Sequence, residues 1–472
     1  MADTKPPADS AGAASNAAKS TPSAAAAADA APKPPTKPSG NPALRMMGIP
    51  NLPKKLPSRN WMIFWALTSG LSAAIIYDKR EKKRATAKWA RVVAPLADQP
   101  LRNPNELPRK ITVFLESPPG DGLRIAQDHF IEYVRPVLAA SGLDWEFVQG
   151  RQQGDVRAAV AEKIRRSRKE VERPDEEVLA TNDKAILESR QRSGIREYDG
   201  IKGDLVLGRH TWKEYIRGLH EGWLGPLDPP VLPEPPKALE ADAAPQEAKD
   251  GADSAKEEPA KQEEADEKKP DRPPQPPSYN STADYSSASL PHQIPAEFNP
   301  STPIEFPHVL GFSATWTRFM WFLNRRKLAD STGREVAAIC FAAARDWDNG
   351  SEEYPQTKAL EKEEKYWPKS VFKTAEEEKK EAEKNGEELP AGPPKEKIWP
   401  VPVVADPRIV SRMRRFELLP EHEQLAKEVV VPEAEIEGWI KGSLRQLYGW
   451  GVEQIGGKKW SPNVGDISNE SD

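Results

Sequence analysis

The residues best suited to chemistry are few and scattered. Among six histidines (His129, His210, His220, His292, His308 and His422), the hint of the two-histidine zinc helix of metalloproteases is His422-Glu423. The second ligand would stand four positions on, where the chain has Ala426, so the motif is incomplete. The single cysteine, Cys340, rules out an intramolecular disulfide and any multi-cysteine zinc or iron-sulfur site. Its apolar setting, Val336 to Ala344, points to a buried structural thiol. No GxxxxGK[ST] phosphate loop and no GxSxG nucleophile elbow occurs, which removes the common nucleotide-hydrolase and esterase chemistries. Carboxylate pairs abound, but in charged runs that lack the apolar and polar surround required for acid/base work. The expectation is a protein without catalytic residues, bound metal or cofactor.

The frame that would position any site is smaller than the length suggests. The 472 residues would make roughly three domains at about 150 residues each. However, 48 are proline, 30% are charged and only 37% are hydrophobic, which implies long disordered stretches beside a core of ordinary density. With 68 basic residues against 73 acidic ones the net charge is only -5, so no global field draws the chain to nucleic acid, and no nucleic-acid partner is expected.

Residues 1–43, rich in Ala, Pro, Ser and Lys, read as a disordered tail without an arginine-rich amphipathic presequence. A basic, proline-containing segment, 44–60, leads into Trp61 to Tyr77, seventeen residues without a charge. As a helix this run would be about 26 Å long, just short of the roughly 30 Å hydrocarbon core of a bilayer. Trp61 and Tyr77 stand at its ends as interface anchors, and Lys79, Arg80, Lys82, Lys83 and Arg84 follow as candidates for the membrane surface and its anionic lipids. The charged flank from Asp78 to Arg84 and the lack of a small-residue cleavage site distinguish the run from a cleaved signal. Ala66, Gly70 and Ala74, four apart, form the small-residue face through which a second membrane helix could approach.

Beyond a basic juxtamembrane helix, 78–95, an α/β block at 107–227 is expected. Strands are predicted at Ile111 to Glu116, Trp145 to Val148 and Leu205 to Leu207. A helix with Ala126, Phe130, Val134 and Leu138 inward should be kinked by Pro136 and ended by Gly142. Asp155 is expected to cap the next helix, and Thr211 with Glu214 to form a capping box for a third, with Trp212, Tyr215, Ile216, Leu219 and Trp223 inward. The order β-α-β-α-β-α points to a parallel sheet covered by helices. The basic run Lys163, Arg165, Arg166, Arg168 and Lys169 reads as a solvated face or a patch for lipid headgroups.

From 228 to 300 there are 15 prolines in 73 residues, and from Glu234 to Asp271 acids outnumber bases 13 to 6, so this stretch reads as a disordered acidic linker. The α/β domain resumes over 301–460, with a charged insertion at 350–396 and a disordered tail at 461–472. Phe312, Trp316, Phe319, Met320 and Leu323 share a helical face ended by Arg325, Arg326 and Lys327; this is either core packing or an interfacial helix lying on a membrane. Thr374 and Glu377 should box the start of a solvated helix reaching Lys384. Ile436, Trp439, Ile440, Leu444 and Leu447 predict a last amphipathic helix opened by Pro432.

Two resemblances bear on function. The strand and helix around Leu207-Gly208-Arg209-His210-Thr211-Trp212-Lys213-Glu214 resemble the nucleotide-binding half of the diacylglycerol kinase family. Arg209 and His210 replace the Asp and Gly of that family's signature, so a degenerate, catalytically dead relative that binds lipid or nucleotide is the most this implies.

The longer resemblance surrounds the membrane segment: Asn41-Pro42-Ala43-Leu44, Gly48-Ile49-Pro50, Leu56-Pro57-Ser58-Arg59-Asn60-Trp61, Tyr77-Asp78-Lys79-Arg80-Glu81-Lys82-Lys83-Arg84 and Lys88-Trp89. It is similar to the fungal family of the 54-kDa subunit of the mitochondrial inner-membrane carrier translocase. That resemblance implies a non-enzymatic subunit of the complex that inserts multi-pass carrier precursors using the membrane potential. Its partners would be the channel-forming subunit and small intermembrane-space chaperones, with the large C-terminal domain in the intermembrane space. Charge alone points the other way. Four Lys and Arg precede the span (Arg45, Lys54, Lys55, Arg59) and seven follow it (Lys79, Arg80, Lys82, Lys83, Arg84, Lys88, Arg91), a bias that would put the C-terminal side in the matrix.

Overall fold

The computed structural model describes residues 58–100, 103–174, 181–230, 275–347, 354–374, 376, 377, 380 and 396–454. The expected tails at 1–43 and 461–472, most of the acidic linker and most of the charged insertion lie outside these. The chain divides into two units, residues 1–67 and 68–472. In the first, the described residues are 58–67, where Trp61 packs edge-on to Phe64 and parallel to Trp65.

Helix α1 runs from Arg59 to Val93 without a break. No proline or glycine pair interrupts it, and its apolar first half passes into a second half whose Trp89, Val92 and Val93 are buried. Among the described residues it is the one helix long and apolar enough to cross a membrane. Gly333 makes the docking of Trp89 possible, since a Cβ there would stand 2.4 Å from the indole. The indole Nε1 donates to Asp330 at 2.8 Å. Trp89→Phe, which keeps an aromatic ring but loses that donor, should lower the stability of the domain by about 1 kcal/mol. Thermal unfolding of the full-length protein in detergent reads the loss, and an unchanged midpoint would contradict it.

The α/β block follows in the expected order. Strand β1 (Lys110–Glu116) leads to helix α2 (Leu123–His129), a π turn (Phe130–Val134) and helix α3 (Arg135–Ala140), then β2 (Asp144–Gly150). Helices α4 (Asp155–Glu172) and α5 (Thr181–Arg192) precede β3 (Asp204–Leu207) and α6 (Gly208–Leu224). The π turn is how the chain absorbs Pro136: a proline has no N–H to give, and its ring displaces the carbonyl four residues earlier. Ala126, Phe130, Val134 and Leu138 are all buried, and Gly142, at φ +70°, ends the run.

After residue 300 come β4 (Ser301–Ile304), helices α7 (Thr315–Phe322) and α8 (Arg325–Cys340), and β5 (Ala344–Asp346). Then follow β6 (Arg414–Phe416), α9 (Pro420–Glu428), α10 (Glu433–Ile436) and α11 (Trp439–Gln454).

The sheet is parallel throughout, in the order β2-β1-β3-β4, with Val113 opposite Phe147 and Leu205, and Leu205 opposite Thr302. Strand alternation sends Ile111, Val113, Leu115, Leu205 and Leu207 to one face, where they meet α2, α3, α8 and the end of α1. Phe114 and Val206 point to the other face, against α4 and α6. There Gly218 and Gly222 of α6 bring the two helices close: a Cβ on Gly218 would stand 2.8 Å from the Arg157 carbonyl oxygen. The fourth strand was not anticipated. It has four residues, contains Pro303 and sits at the sheet edge, the place a strand proline is tolerated.

Several local expectations are corrected. Thr211 and Glu214 form no capping box; α6 already starts at Gly208, whose φ of +82° turns the chain directly from strand into helix. Asp155 is the first residue of α4 rather than its cap, and its carboxylate accepts from the N–H groups of Arg151 (2.9 Å) and Gln152 (3.1 Å) in the preceding loop. Arg325 to Lys327 open α8 instead of closing the helix before it. The last helix is two, with a break at Glu437 and Gly438. Ile436 is buried, whereas Leu444 and Leu447 are exposed. Thr374 and Glu377 do exchange the reciprocal bonds of a box (3.0 and 3.4 Å); most of the helix expected after them lies outside the described residues.

Segments expected to be solvated also pack on the domain. Residues 275–300 place Tyr285 in the core against His220, with centroids 4.9 Å apart, and residues 354–374 bury Gln356 and Trp367. With 396–413 they wrap α6 so completely that all of its 17 residues except Trp223 are buried.

Candidate functional site

In an open parallel sheet a ligand binds where the chain leaves adjacent strands in opposite directions, outside their carboxyl ends. Here that crevice lies between β1, which continues to β2 on one side, and β3, which continues to β4 on the other. Gly208 stands at its mouth. A Cβ there would meet the His210 ring at 2.8 Å and the Phe306 Cβ at 3.1 Å, and the α6 N-terminus opens into the space.

In this protein the crevice is filled by the chain itself. Glu363 accepts from the Arg209 backbone N–H (2.8 Å) on one carboxyl oxygen and from the Phe306 backbone N–H (2.7 Å) on the other, the position a bound anion would take at a helix N-terminus. Burial outweighs these donors and the Arg209 charge and pushes the Glu363 carboxyl up to about 8. Arg209 turns away from the crevice to Glu364 (2.7 Å) and to the carbonyls of Thr357 and Ala359 (each 2.7 Å). Lys213 joins Glu364 at 2.9 Å and the Trp399 carbonyl at 2.6 Å.

Beneath this plug, Glu116 at the end of β1 faces Glu214 of α6. Burial first, and the neighbouring carboxyl second, raise Glu116 well above the usual carboxyl range. Glu214 accepts from the N–H groups of Gly154 (2.6 Å) and Arg157 (3.2 Å) and from the Trp399 indole (3.1 Å). His210 sits against the Glu116 carbonyl at 3.2 Å, and burial lowers it to about 4, so it is neutral. Of these groups, Glu214 and His210 meet the post-linker chain at Trp399, whose indole donates to Glu214 and lies 5.9 Å from the His210 ring. No cluster of three or more His, Cys, Asp and Glu suited to a metal occurs among the described residues. Cys340 is buried, and burial pushes its thiol up to about 11.

The second concentration of unusual side chains surrounds the end of the apolar run. Tyr77 is exposed, with the Arg326 guanidinium over its ring. The next residue, Asp78, is buried and caps α8: its carboxylate accepts from the N–H groups of Arg325 (3.1 Å) and Arg326 (3.3 Å) and from the Arg326 side chain (3.3 Å). This explains how α8 can begin with three cations, which the helix dipole disfavours at an N-terminus.

Of the basic collar, Arg80 and Arg84 pair with Glu433, Arg84 also with Glu81, and Lys82 with Glu132. Lys79 and Lys83 are exposed and meet no carboxylate among the described residues. Ala66, Gly70 and Ala74 are exposed, and a Cβ on Gly70 would touch nothing within 4 Å. Helix α7 has no buried residue: Trp316 is 66% exposed and Met320 is also exposed, while Phe319 and Leu323 are half-buried.

The run from Lys163 to Lys169 is neither simply solvated nor free for lipid. Arg165 is buried against Glu221 and the Tyr279 ring, and Arg168 donates to the carbonyls of Gly222 and Gly225. Sequence reading missed Asp78, Glu363, Glu364 and Trp399. Asp78 offered a signal, as the one acid between the apolar run and its first two cations; Glu363 and Glu364 were hidden inside a charged run.

Comparison with known proteins places the chain in a family. Residues 41–416 match the family described as inner membrane protein import complex subunit Tim54. A Neurospora crassa protein named mitochondrial import inner membrane translocase subunit tim54 is 52% identical over 89% of this chain and 90% of its own. Its namesakes from Aspergillus oryzae (42% identical, 90% and 100% covered) and Schizosaccharomyces pombe (34% identical, 67% and 86% covered) extend the match. An apolar helix carried into an α/β domain, together with a family match across most of the chain, leads to one assignment: this chain belongs to the Tim54 family of inner membrane protein import complex subunits.

Proposed function

We propose that this protein is a single-pass, non-enzymatic subunit of the mitochondrial inner-membrane translocase that inserts multi-pass carrier precursors at the expense of the membrane potential. Its domain beyond residue 78 faces the intermembrane space and scaffolds the channel-forming subunit and small chaperones. Trp61 and Tyr77 bound the span, and the Ala66, Gly70 and Ala74 face is where a partner's membrane helix would approach.

The observation that carries this reading is the crevice plugged by Glu363 and braced by Glu364, Lys213 and Trp399. A parallel α/β fold that spends its ligand position on an internal carboxyl suits a scaffold. The competing reading, an anchored lipid- or nucleotide-binding protein with a degenerate kinase-like domain, requires that position to be open. The burial of Asp78 and Trp89 supports the same reading, since it seats the chain that follows the apolar run in the domain.

Depletion should slow insertion of carrier precursors while import of matrix-targeted precursors continues, and should release the channel subunit from the chaperones. Protease added to mitochondria with ruptured outer membranes should digest the domain after residue 95. Its survival would reverse the topology in favour of the charge bias.

A further inference from the structure

We propose that α7 is an interfacial helix that lies in the lipid headgroup layer beside the point where α1 leaves the bilayer, presenting Trp316 and Met320, with Phe312 of the turn before it, to lipid. The inference rests on the reading of residues 61–77 as a membrane span and deepens it. Two features of the helix call for an occupant. Phe312, in the turn before the helix, is 95% exposed and Trp316 66% exposed, whereas Trp321 packs its ring 5.0 Å from that of Tyr366. An eight-residue helix with its largest apolar side chains in water has no packing reason to form there.

Position names the occupant. The C-terminal end of α7 is three residues from Arg325, whose N–H is bonded to Asp78, the residue after Tyr77. Arg326 covers the Tyr77 ring itself. The helix therefore ends close to the aromatic anchor, and at about 12 Å long it leaves Trp316 within one helix length of it. Its chemistry fits a membrane surface: Trp, Phe and Met on one side, with Arg318, Arg325 and Lys327 exposed beside them to meet anionic headgroups. Lys79 and Lys83, exposed and without a carboxylate partner among the described residues, lie on the same side of the span. A protein partner would explain the exposed aromatics but not their tie to the end of the span.

The test uses the full-length protein reconstituted into vesicles of phosphatidylcholine with phosphatidylglycerol. An environment-sensitive dye is attached through Trp316→Cys or, as a second position, Met320→Cys, with Val171→Cys on exposed α4 as the aqueous reference. The dye at 316 or 320 should be blue-shifted, several-fold less accessible to iodide than the reference, and quenched by spin labels on the lipid headgroups. Equal iodide access at 316, 320 and 171, in protein that resists alkaline extraction, would overturn the proposal and assign this face to a protein partner. Release of the protein by alkali would instead overturn the span reading on which the proposal depends.

Discussion

Replacing Glu221 with leucine is expected to cost the folded domain about 4 kcal/mol, because breaking a buried ion pair leaves uncompensated charge in the interior. Glu221 and Arg157 are both fully buried. The Glu221 carboxylate accepts from Arg157, from Arg165 at 3.1 Å and from the Tyr279 N–H at 3.1 Å, and Arg157 also donates to the Pro276 carbonyl. One carboxylate thus joins α4, α6 and the chain that returns after the acidic linker.

Leucine would strand two guanidinium groups and one backbone N–H. Arg157→Met in the same chain removes one of those charges, so the double variant should recover part of the loss. The coupling in the double-variant cycle should reach about 2 kcal/mol. Urea unfolding of the full-length protein in detergent micelles measures the cycle, and strict additivity would contradict it. Limited proteolysis gives a second readout: cleavage near residues 275–290 should rise in Glu221→Leu, where the Tyr279 tether is gone.

Glu363→Ala should cost about 3 kcal/mol at pH 5, since it leaves the Arg209 and Phe306 N–H groups unbonded beside the Arg209 charge. The cost depends on pH with a definite sign. The folded carboxyl holds its proton to about 8, whereas the unfolded one releases it near 4.5. Between those values the folded state binds more protons, so the contribution of Glu363 is full below about 4.5 and is lost as the pH rises through about 8, at up to about 1.4 kcal/mol per pH unit. Wild type and variant should therefore converge as the pH approaches 8. Removal also opens an anion site. Low millimolar sulfate should raise the unfolding midpoint of Glu363→Ala but not that of wild type, with sodium chloride of equal ionic strength as the control. Equal responses of the two proteins would show that the carboxyl is not acting as the plug.

Periodicity was enough to identify the elements that bury one face. In α2 and α3, Ala126, Phe130, Val134 and Leu138 are inward as their spacing requires, and β1 alternates between two cores because Ile111, Val113 and Leu115 differ from Thr112, Phe114 and Glu116 in side. The apolar run from Trp61 to Tyr77 and the parallel order of the first three strands were legible for the same reason: each is a local pattern read over a handful of residues.

Helix α6 shows where such reading ends. Its spacing announced one buried stripe, yet Arg209, Lys213, Glu214, Arg217 and Glu221 are buried as well, because each finds its partner in chain that returns from 50 or more residues away in either direction. The same holds for Asp78, whose partner at Arg325 is 247 residues distant, and for Glu363, which looks like one more solvated acid until Arg209 and Phe306 are brought beside it. By itself the sequence determined an apolar run long enough for a membrane span and a parallel α/β core. Only the tertiary structure decided that the ligand crevice is closed from within and that Asp78, just past the apolar run, is buried against α8, because a buried charge is tolerated only through a partner, and sequence distance does not reveal which partner folding will supply.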